Sequence, residues 1–473
     1  MTVYKVCNVV LAKLTNPLKT AIIFVMFRWQ GPRYRSIWKG FSRFFRWFAP
    51  GIGIKRWFLV LLVGITLIGT GLAIFLLDAY RSAPITWWLQ IISFISFWFL
   101  VSPWRILILV GIGIVLIGLG IWRLNRSLLL PFLRPGQKLV DQVTDYRRRE
   151  RGPQIVAIGG GHGIATVLRG LKEYTNNLTA VVSVADDGGS SGELRRSLGI
   201  LPPGDIRNCL AALSDDEALL TQLFQYRFGD DTGLGGHSFG NLFISALSDI
   251  TGSFEKAIAE SGRALSVHGQ VLPATLHSVR LVADVQLANA QTEIRVEGES
   301  QIPQAAGRVR RVWLEPDNAL AFPPVIQAVL AADMIVIGPG SLYTSILPNI
   351  LLSDLLDAIR SSRALKIFIA NVATQPGETD MYTSGDHIRT LEELVASELV
   401  DVIVCNSWYD KKLEKGMQWV RVDEALERDS RLYLSDLVDH RQPEHHNAER
   451  LAQVLMDIYL ERTGPIMKEQ STQ

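Results

Sequence analysis

Cysteine is scarce in this chain of 473 residues, and its three copies lie far apart. Cys7, Cys209 and Cys405 form no CxxC pair, so neither a disulfide framework nor a thiolate zinc site is expected. Histidine is also sparse: of eight copies only His445 and His446 are adjacent, and neighbours in sequence rarely ligate one metal ion together. These absences exclude a disulfide-stapled secreted domain and a centre built on histidine or cysteine ligands.

Acidic residues are missing from the first 56 positions, which carry eleven Lys or Arg residues. The formal net charge of +2 therefore averages two unlike parts of the chain. Tryptophan is uneven as well, because nine of the twelve copies fall between Trp29 and Trp122. A basic, Trp-rich segment of this kind either lies on anionic lipid headgroups or is a solvated leader, and the sequence leaves both readings open.

Charge is also missing from two long hydrophobic runs. Residues 57–77 form a run of 21 uncharged residues, and residues 106–122 form a run of 17. Both runs are long enough to cross a bilayer core. The aromatic stretch 85–101 is either a third span or an interfacial segment. Basic residues flank the hydrophobic block on both sides, which places both ends in the cytosol and favours two spans. We therefore predict a multi-pass anchor in the cell membrane, with both termini and the main domain cytosolic.

The sequence changes character after residue 122. From about residue 140 on, the chain has the mixed charge and spaced apolar runs of a soluble domain. The predicted organisation is a basic Trp-rich cytosolic leader 1–56, a transmembrane region 57–122, a charged linker 123–152 and a cytosolic α/β domain 153–473.

Strands and helices alternate in the predicted domain. The apolar run 154–158 is followed by a glycine turn at 159–163, helical spacing over 164–174 and a second strand at 178–185. This order is the repeating unit of a doubly wound parallel sheet. Further strands are predicted at 334–338, 366–372 and 400–405, with an antiparallel ribbon at 279–285 and 292–296. We therefore predict an α/β fold with a doubly wound, mostly parallel Rossmann-like sheet, preceded by an N-terminal helical transmembrane region.

Four polar, glycine-rich loops follow these strands and helices. In a parallel sheet, ligands bind at the carboxyl ends of the strands, where helix N-termini offer unpaired N–H groups. The fold would gather the four loops on one edge, so together they argue for a binding site more strongly than any one alone. The candidate site residues are Gly159, Gly160, Gly161, Gly163, Asp186, Asp187, Gly188, Gly189, Ser190, Ser191, Asp205, Arg207, Asn208, His237, Asn241, Gly338, Gly340, Ser341, Tyr343, Thr344, Ser345, Asn371, Thr374 and Gln375.

The first loop, GGGHG, is a weak signal by itself. Its glycines would let the backbone approach a phosphate, but Ile164 occupies the third glycine position of the G-x-G-x-x-G pattern. A plain tight turn is the alternative. The missing glycine also disfavours a dinucleotide-dependent dehydrogenase.

The second loop, VADDGGSSGELR, is richer in chemistry. Asp186 is placed to bind a ribose, and the adjacent carboxylates of Asp186 and Asp187 are candidate ligands for Mg²⁺ beside a phosphate. The Gly-Ser run would donate N–H and O–H groups to phosphate oxygens. The alternative is a solvated turn that caps the following helix. Such a turn explains a single Asp or Ser, but it explains poorly the six consecutive residues DDGGSS at 186–191.

The remaining loops add charge, amide and hydroxyl groups at helix starts. Asp205 is placed to cap a helix whose first turn holds Arg207 and Asn208, where an anion or a partner carboxylate would be met. His237 is as readily a buried, satisfied histidine as a catalytic one. The loop 337–349 supplies four hydroxyl groups.

The amino-acid sequences of these loops resemble those of the YvcK/CofD-like family. The matching segments run from IVAIGGG to TQPGETD, through VADDGGSSGELR, LGILPPGDIRNCL, GHSFGN and IGPGSLYTSILPN, over roughly half of the chain. One position departs from the family: the first loop is GGGHG where the family usually has GGGTG, so His162 replaces a hydroxyl. The motifs PPGDIRNCL and GPGSLYTSILPN are similar to those of the YvcK branch.

This resemblance implies a function that the residues alone leave open. The YvcK branch implies a non-catalytic regulator that binds UDP-N-acetylglucosamine and is linked to peptidoglycan precursor supply, cell shape and growth on gluconeogenic carbon. The CofD branch implies instead a 2-phospho-L-lactate transferase that uses Mg²⁺. We expect the regulator, with a nucleotide sugar, membrane lipids and a regulated enzyme of amino-sugar or cell-wall synthesis as partners. A nucleic-acid partner is not expected, and the oligomeric state stays open.

Overall fold

The computed structural model describes residues 147–464, except 215–217, 230–232, 288–291, 306 and 396–397, and five isolated positions: 65, 66, 69, 73 and 118. By the contacts within each part, the chain divides into two units, Met1–Asp145 and Tyr146–Gln473. The predicted leader, and the predicted spans apart from the five positions, lie outside the described residues. Within those residues no single helix is long and apolar enough to cross a bilayer, and one bent pair, Leu342–Ile350 with Ser353–Ser361, passes by length and composition only.

Ten strands form two sheets in the described part of the chain. They are β1 Ile155–Gly159, β2 Leu178–Val182, β3 Gln270–Pro273, β4 Arg280–Leu287, β5 Glu293–Glu297, β6 Gly307–Glu315, β7 Met334–Ile337, β8 Leu365–Ile369, β9 Val402–Asn406 and β10 Leu432–Ser435. The helices are α1 Gly161–Leu171, α2 Gly189–Leu198, α3 Gly204–Leu213, α4 Ala218–Gln225, α5 Phe239–Thr251, α6 Phe254–Ala264, α7 Pro323–Ala331, α8 Leu347–Ile350, α9 Ser353–Ser361, α10 Ser384–Val395, α11 Glu424–Glu427 and α12 Ala448–Thr463.

The larger sheet is parallel throughout and has the order β10-β9-β8-β7-β1-β2-β3. Strand order runs outward in both directions from β1 and β7, so the topological switch point lies between these two strands. Loops diverge at such a point and leave a crevice at the carboxyl ends of the strands. The predicted doubly wound parallel sheet is therefore confirmed, and its ligand crevice belongs between β1 and β7.

The sheet lies at the centre of the core. β1, β7 and β9 are buried at every position, as expected for strands covered by helices on both faces. α1 packs against both α3 and α12. A Cβ atom on Gly170 of α1 would lie 2.1 Å from the carbonyl oxygen of Ala448, so a glycine is required where the first and last helices of the domain meet.

The smaller sheet is an antiparallel ribbon in the order β5-β4-β6. The alternating pattern predicted its first two strands, whereas β6 was missed, as were the short edge strands β3 and β10. After β5 the chain turns at Gly298, which has a φ of +100°, into a short 3-10 turn at Glu299–Gln301. That turn carries Glu299 to the carboxyl edge of the parallel sheet.

Candidate functional site

Two adjoining cavities open at the carboxyl ends of β1 and β7. The larger has a volume of about 410 Å³ and the smaller about 260 Å³, and we call them the first and second lobes. His162, Asp186 and Asp205 line both lobes, so the two form one cleft. Of the predicted residues, the first lobe also contains Gly160, Gly161, Gly163, Gly340, Ser341, Ser345, Asn371, Thr374 and Gln375. The second also contains Gly188, Gly189, Ser190, Ser191, Arg207, Asn208 and Asn241.

Six predicted residues lie outside the lining of both lobes, and each has a structural reason. They are Gly159, Asp187, His237, Gly338, Tyr343 and Thr344. Gly159 is the last residue of β1, and its carbonyl accepts hydrogen bonds from Ser183 N and from Asn349 Nδ2. Gly338 turns the chain after β7 with a φ of +82°.

The glycine loop between β1 and α1 uses its glycines in two different ways. Gly160 is extended and Gly161 has a φ of +64°, which turns the chain directly into the helix. Gly163 is needed for packing, because a Cβ atom there would lie 2.1 Å from the carbonyl oxygen of Pro339. The prediction that these glycines bring backbone to a ligand therefore fits Gly160 and Gly161 better than Gly163.

The loop after β7 is held in place by side chains that follow β8. Asn371 Oδ1 accepts a hydrogen bond from Gly340 N at 3.0 Å, and Asn371 Nδ2 donates to Gly340 O at 2.9 Å. Gln375 Nε2 donates to Ser341 Oγ at 2.6 Å. Gln375 Oε1 is buried without a hydrogen-bond partner among the described residues.

Tyr343 and Thr344 lie outside the lining of both lobes and are held by residues that follow β8. Both backbone N–H groups donate to Glu378 Oε1, at 2.8 and 3.2 Å. Burial raises the pKa of Glu378 to about 7. The Tyr343 hydroxyl meets the Tyr382 hydroxyl at 2.7 Å. These side chains fix the turn that aims Ser341 and Ser345 into the first lobe.

Asp186 and Asp205 line both lobes, whereas Asp187 lines neither. Burial and the charge of Asp186 raise the pKa of Asp205 to about 6. Burial likewise raises the pKa of Asp186, whose Oδ1 accepts a hydrogen bond from Gly188 N at 2.9 Å. Asp187 instead accepts a hydrogen bond from Ser300 N at 2.9 Å and ties the loop after β2 to the end of the ribbon.

Glu299 is a cleft residue that the sequence patterns did not single out. Burial, together with the charges of Asp186 and Asp205, raises its pKa well above the usual range for glutamate. In the described residues no three His, Cys, Asp or Glu side chains converge closely enough to hold a metal ion by themselves. Mg²⁺, however, is usually held by one or two carboxylates together with water and substrate phosphates. Asp186 and Asp205 fit that mode.

The second lobe is organised around the buried side chain of Arg207. Its guanidinium donates to Asn208 Oδ1 at 2.9 Å, to Asn241 Oδ1 at 3.2 Å and to Ser238 Oγ. Its Nε is buried without a hydrogen-bond partner among the described residues. Gly240 permits this arrangement, since a Cβ atom there would lie 2.8 Å from the Arg207 side chain. The motifs PPGDIRNCL and GHSFGN thus meet around one cation.

His237 lies just behind the lining of the second lobe. Its Nδ1 is 3.0 Å from Ser190 Oγ, and its Nε2 is 3.5 Å from Glu193 Oε2. Asn241 Nδ2 also donates to Ser190 Oγ, at 3.0 Å. His237 therefore acts on the cleft through the hydroxyl of Ser190.

His162 stands at the junction of the two lobes. Partial burial and the charge of Arg207 lower its pKa, and the nearby His445 adds to this effect. The glycine loop thus presents an imidazole at the point that a ligand spanning both lobes must cross.

The C-terminal part of the domain closes the first lobe, although the sequence patterns assigned no residue there. The unpredicted lining residues with side chains able to contact a ligand are Thr166, Glu299, Met417, Glu444, His445 and His446. His446 Nε2 is 3.2 Å from the carbonyl oxygen of Ala370, and burial lowers the pKa of His446 to about 4. The adjacent histidines are the sequence signal that points to this wall, although adjacency by itself argues only against a shared metal ion.

Comparison with protein families gives a match over most of the described domain. Residues 155–438 match the family model described as 2-phospho-L-lactate transferase CofD. Glu444, His445 and His446 lie beyond the end of that match.

Curated relatives of high identity carry a different name. A protein of Nostoc sp. (strain PCC 7120), named "Putative gluconeogenesis factor", is 45% identical over 441 residues, covering 88% of this chain and 93% of its own. The "Gluconeogenesis factor" of Bacillus subtilis (strain 168) is 48% identical over 255 residues, covering 54% of this chain and 79% of its own. A crystal structure of a Bacillus halodurans protein is 39% identical with a TM-score of 0.59, covering 64% of this chain and 99% of its own.

Proposed function

Since this chain belongs to the CofD family, we propose that it is a regulator that binds a nucleotide sugar, UDP-N-acetylglucosamine, in the cleft between β1 and β7. The observation that carries the proposal is the composition of the two lobes. Arginine and helix N-termini surround the second lobe, while amides, hydroxyls and imidazoles line the first. A nucleoside diphosphate joined to a sugar matches this lining, because its phosphates suit the arginine and the helix N-termini while its hydroxyl and base groups suit the amides, hydroxyls and imidazoles.

The diphosphate would lie at the junction of the lobes. The first turn of α1 and the first turn of α2 both leave backbone N–H groups without intrahelical partners, and helix dipoles favour anions at these ends. Arg207 adds a full positive charge and an Nε group without a partner among the described residues. Gln375 Oε1 would accept a hydrogen bond from a ribose hydroxyl or a base N–H group, which would satisfy its buried acceptor.

An Mg-dependent transferase of the CofD type is the second candidate. Asp186 and Asp205 favour it, because both line the two lobes and both contribute to raising the pKa of Glu299 in the same cleft. Mg²⁺ held by this pair would neutralise charge on a transferring phosphoryl group. The same ion would equally bridge the protein to the diphosphate of a ligand that is bound and not turned over.

The cellular role we propose follows from the named relatives. Several are called gluconeogenesis factors, and we extend that role to this chain, with a link to cell-wall precursor supply and cell shape. The domain would be held under the cell membrane by the predicted spans 57–77 and 106–122. It would contact membrane lipids and regulate an enzyme of amino-sugar or cell-wall synthesis. Removing residues 1–140 should release the protein to the soluble fraction, and continued membrane association would contradict the anchor.

Titration calorimetry on the full-length chain tests the ligand. UDP-N-acetylglucosamine, NAD and GTP are each titrated with and without Mg²⁺, and the mixtures are then analysed for reaction products. Saturable binding of the UDP-sugar without turnover is the expected result. Formation of a phospholactyl product from a guanosine-linked phospholactate donor would replace the regulator with the transferase. Binding of NAD in preference to the UDP-sugar would contradict both.

A pair of asparagine variants localises the binding. Asn208→Ala removes an amide that lines the second lobe and accepts a hydrogen bond from Arg207. Asn177→Ala removes an amide at the opposite edge of the sheet, where Nδ2 donates to Gly152 O at 2.9 Å. UDP-sugar affinity should fall about tenfold or more in the first variant and stay unchanged in the second. Equal effects would place the ligand elsewhere.

A further inference from the structure

The hydroxyl of Ser190, in the lining of the second lobe, contacts an imidazole that in turn lies beside a carboxylate. Ser190 is the second residue of α2, and Glu193 lies three residues later on the same face of that helix. Between them stands His237, with Nδ1 at 3.0 Å from Ser190 Oγ and Nε2 at 3.5 Å from Glu193 Oε2. A hydroxyl, a base in hydrogen-bond reach and an acidic group that orients the base are the parts of an activated nucleophile.

The surrounding hydrogen bonds fix the direction of the proton on Ser190. Asn241 Oδ1 accepts from Arg207, so its Nδ2 is the group that faces Ser190 Oγ and donates to it at 3.0 Å. The Ser190 hydroxyl then has its own proton available for His237 Nδ1. Glu193 beside Nε2 favours the tautomer that carries its proton on Nε2 and leaves Nδ1 as the acceptor.

The environment of this hydroxyl suits a phosphorus centre. Ser190 lines the second lobe together with Arg207 and Arg227. Arg207 is 7% exposed, and its Nε has no partner among the described residues. Both guanidinium groups line the same lobe as Ser190, and α2 begins there, so together they would stabilise the charge on phosphoryl oxygens.

We propose that Ser190 is a nucleophile that attacks a phosphate monoester, a ligand distinct from the UDP-sugar, bound in the second lobe, with His237 as its general base. Ser190 Oγ forms a bond to phosphorus while the bond from phosphorus to the leaving oxygen breaks. The Ser190 proton passes to His237 Nδ1 and from there to the leaving oxygen. Water then attacks the phosphoserine, gives a proton to His237 and releases phosphate, and that proton returns to Ser190. This hydrolytic activity goes beyond ligand sensing.

A fluorophosphonate probe tests the nucleophile on the full-length chain. Attack by Ser190 forms an oxygen–phosphorus bond and expels fluoride, and mass spectrometry of the digested protein identifies the modified residue. Labelling at Ser190 is expected, with a rate that falls by about 100-fold or more in His237→Gln. Labelling at other serines only, or an unchanged rate in His237→Gln, would overturn the proposal.

Two further variants separate activation from folding and from ligand binding. Ser197→Ala removes an exposed hydroxyl on the same helix whose Oγ donates to Glu193 O, and it should label at the wild-type rate. Ser190→Cys keeps a nucleophile of similar size, and iodoacetamide should alkylate it rapidly, and far more slowly when His237→Gln is added. Cys209 and Cys405 are buried, and peptide mapping distinguishes residue 190 from all three native cysteines, Cys7 included. Slow alkylation in both backgrounds would overturn the proposal even where UDP-sugar binding is intact.

Discussion

The side-chain amide of Asn371 pairs with both backbone groups of Gly340, accepting from its N–H at 3.0 Å and donating to its carbonyl at 2.9 Å. Asn371 follows β8 and Gly340 follows β7, so this pairing joins the carboxyl ends of two neighbouring strands. Gly340 has a φ of +157°, and this pairing, together with the hydrogen bond from Gln375 Nε2 to Ser341 Oγ, holds Ser341 in the wall of the first lobe. One side chain therefore shapes the wall of the cleft.

Replacing Asn371 with alanine should weaken ligand binding more than it weakens the fold. Two hydrogen bonds are lost, which we expect to lower the free energy of unfolding by about 1–3 kcal/mol. The loop after β7 would no longer be held, so affinity for UDP-N-acetylglucosamine should fall about tenfold or more. Urea denaturation and calorimetry on the same preparation measure both quantities. Unchanged affinity in a folded Asn371→Ala variant would show that this wall does not contact the ligand.

Gly163 offers a prediction about packing. A Cβ atom on Gly163 would lie 2.1 Å from the Pro339 carbonyl oxygen, so alanine there must push the loops after β1 and β7 apart. We expect Gly163→Ala to lower the free energy of unfolding by about 2–4 kcal/mol, as strain in a packed site does. Thermal unfolding followed by circular dichroism would report the change.

A second glycine provides the matched control. A Cβ atom on Gly262 in α6 would be in ordinary contact, 3.7 Å from Leu210 Cδ2. Alanine is the better helix former, so Gly262→Ala should raise the free energy of unfolding by about 1 kcal/mol. A destabilisation of equal size in both variants would argue against the close approach at Gly163.

The parallel sheet and its ligand edge follow from local sequence pattern. Buried apolar runs such as IVAIG and MIVI, each followed by a glycine turn and a helical pattern, leave few other topologies. Most of the predicted loop residues accordingly line the cleft. β6 escaped detection because its arginine-rich sequence, GRVRRVWLE, does not look apolar, and its alternation is interrupted where the register shifts between Asp284 and Val285 of β4.

Side-chain direction is the part that local pattern could not supply. Tyr343 and Thr344 sit in a loop rich in hydroxyls, yet a buried carboxylate from Glu378 captures their backbone groups, and they lie outside the lining of both lobes. Asp186 and Asp187 are adjacent, yet Asp186 lines both lobes while Asp187 accepts a hydrogen bond from Ser300 N. Both outcomes depend on residues more than fifteen positions away in sequence. Contacts of this range have no signature in a short motif.

His446 should make the stability of the domain depend on pH. Burial lowers its folded-state pKa to about 4, while an unfolded histidine titrates near 6.5. The unfolded chain therefore binds a proton that the folded chain refuses, and stability falls as pH drops from about 6.5 to about 4. The loss from this group is at most about 3 kcal/mol. Urea denaturation at pH 7 and pH 5 measures the slope.

The glutamine variant of His446 isolates this effect. His446→Gln keeps an N–H donor for the Ala370 carbonyl but does not titrate, so the dependence of stability on pH should become shallower. His445→Gln removes a charge that helps to lower the pKa of His446, so it should make the dependence shallower by less than His446→Gln does. A steep slope that persists in His446→Gln would assign the titration to another group.

The two adjacent aspartates should respond differently to loss of charge. Asp186 lines both lobes near Asp205, so Asp186→Asn should remove the enhancement of UDP-sugar affinity by Mg²⁺, because a neutral amide is a poor ligand for that ion. Asp187 binds Ser300 N, and an asparagine oxygen can still accept that bond, so Asp187→Asn should retain the enhancement. Asp187→Ala should cost about 1 kcal/mol of stability, since the end of the ribbon that carries Glu299 loses its tether. Calorimetry with and without Mg²⁺ measures the enhancement of UDP-sugar affinity in each variant. If Mg²⁺ no longer enhances the affinity of Asp187→Asn but still enhances that of Asp186→Asn, the cation does not bind at Asp186 and Asp205.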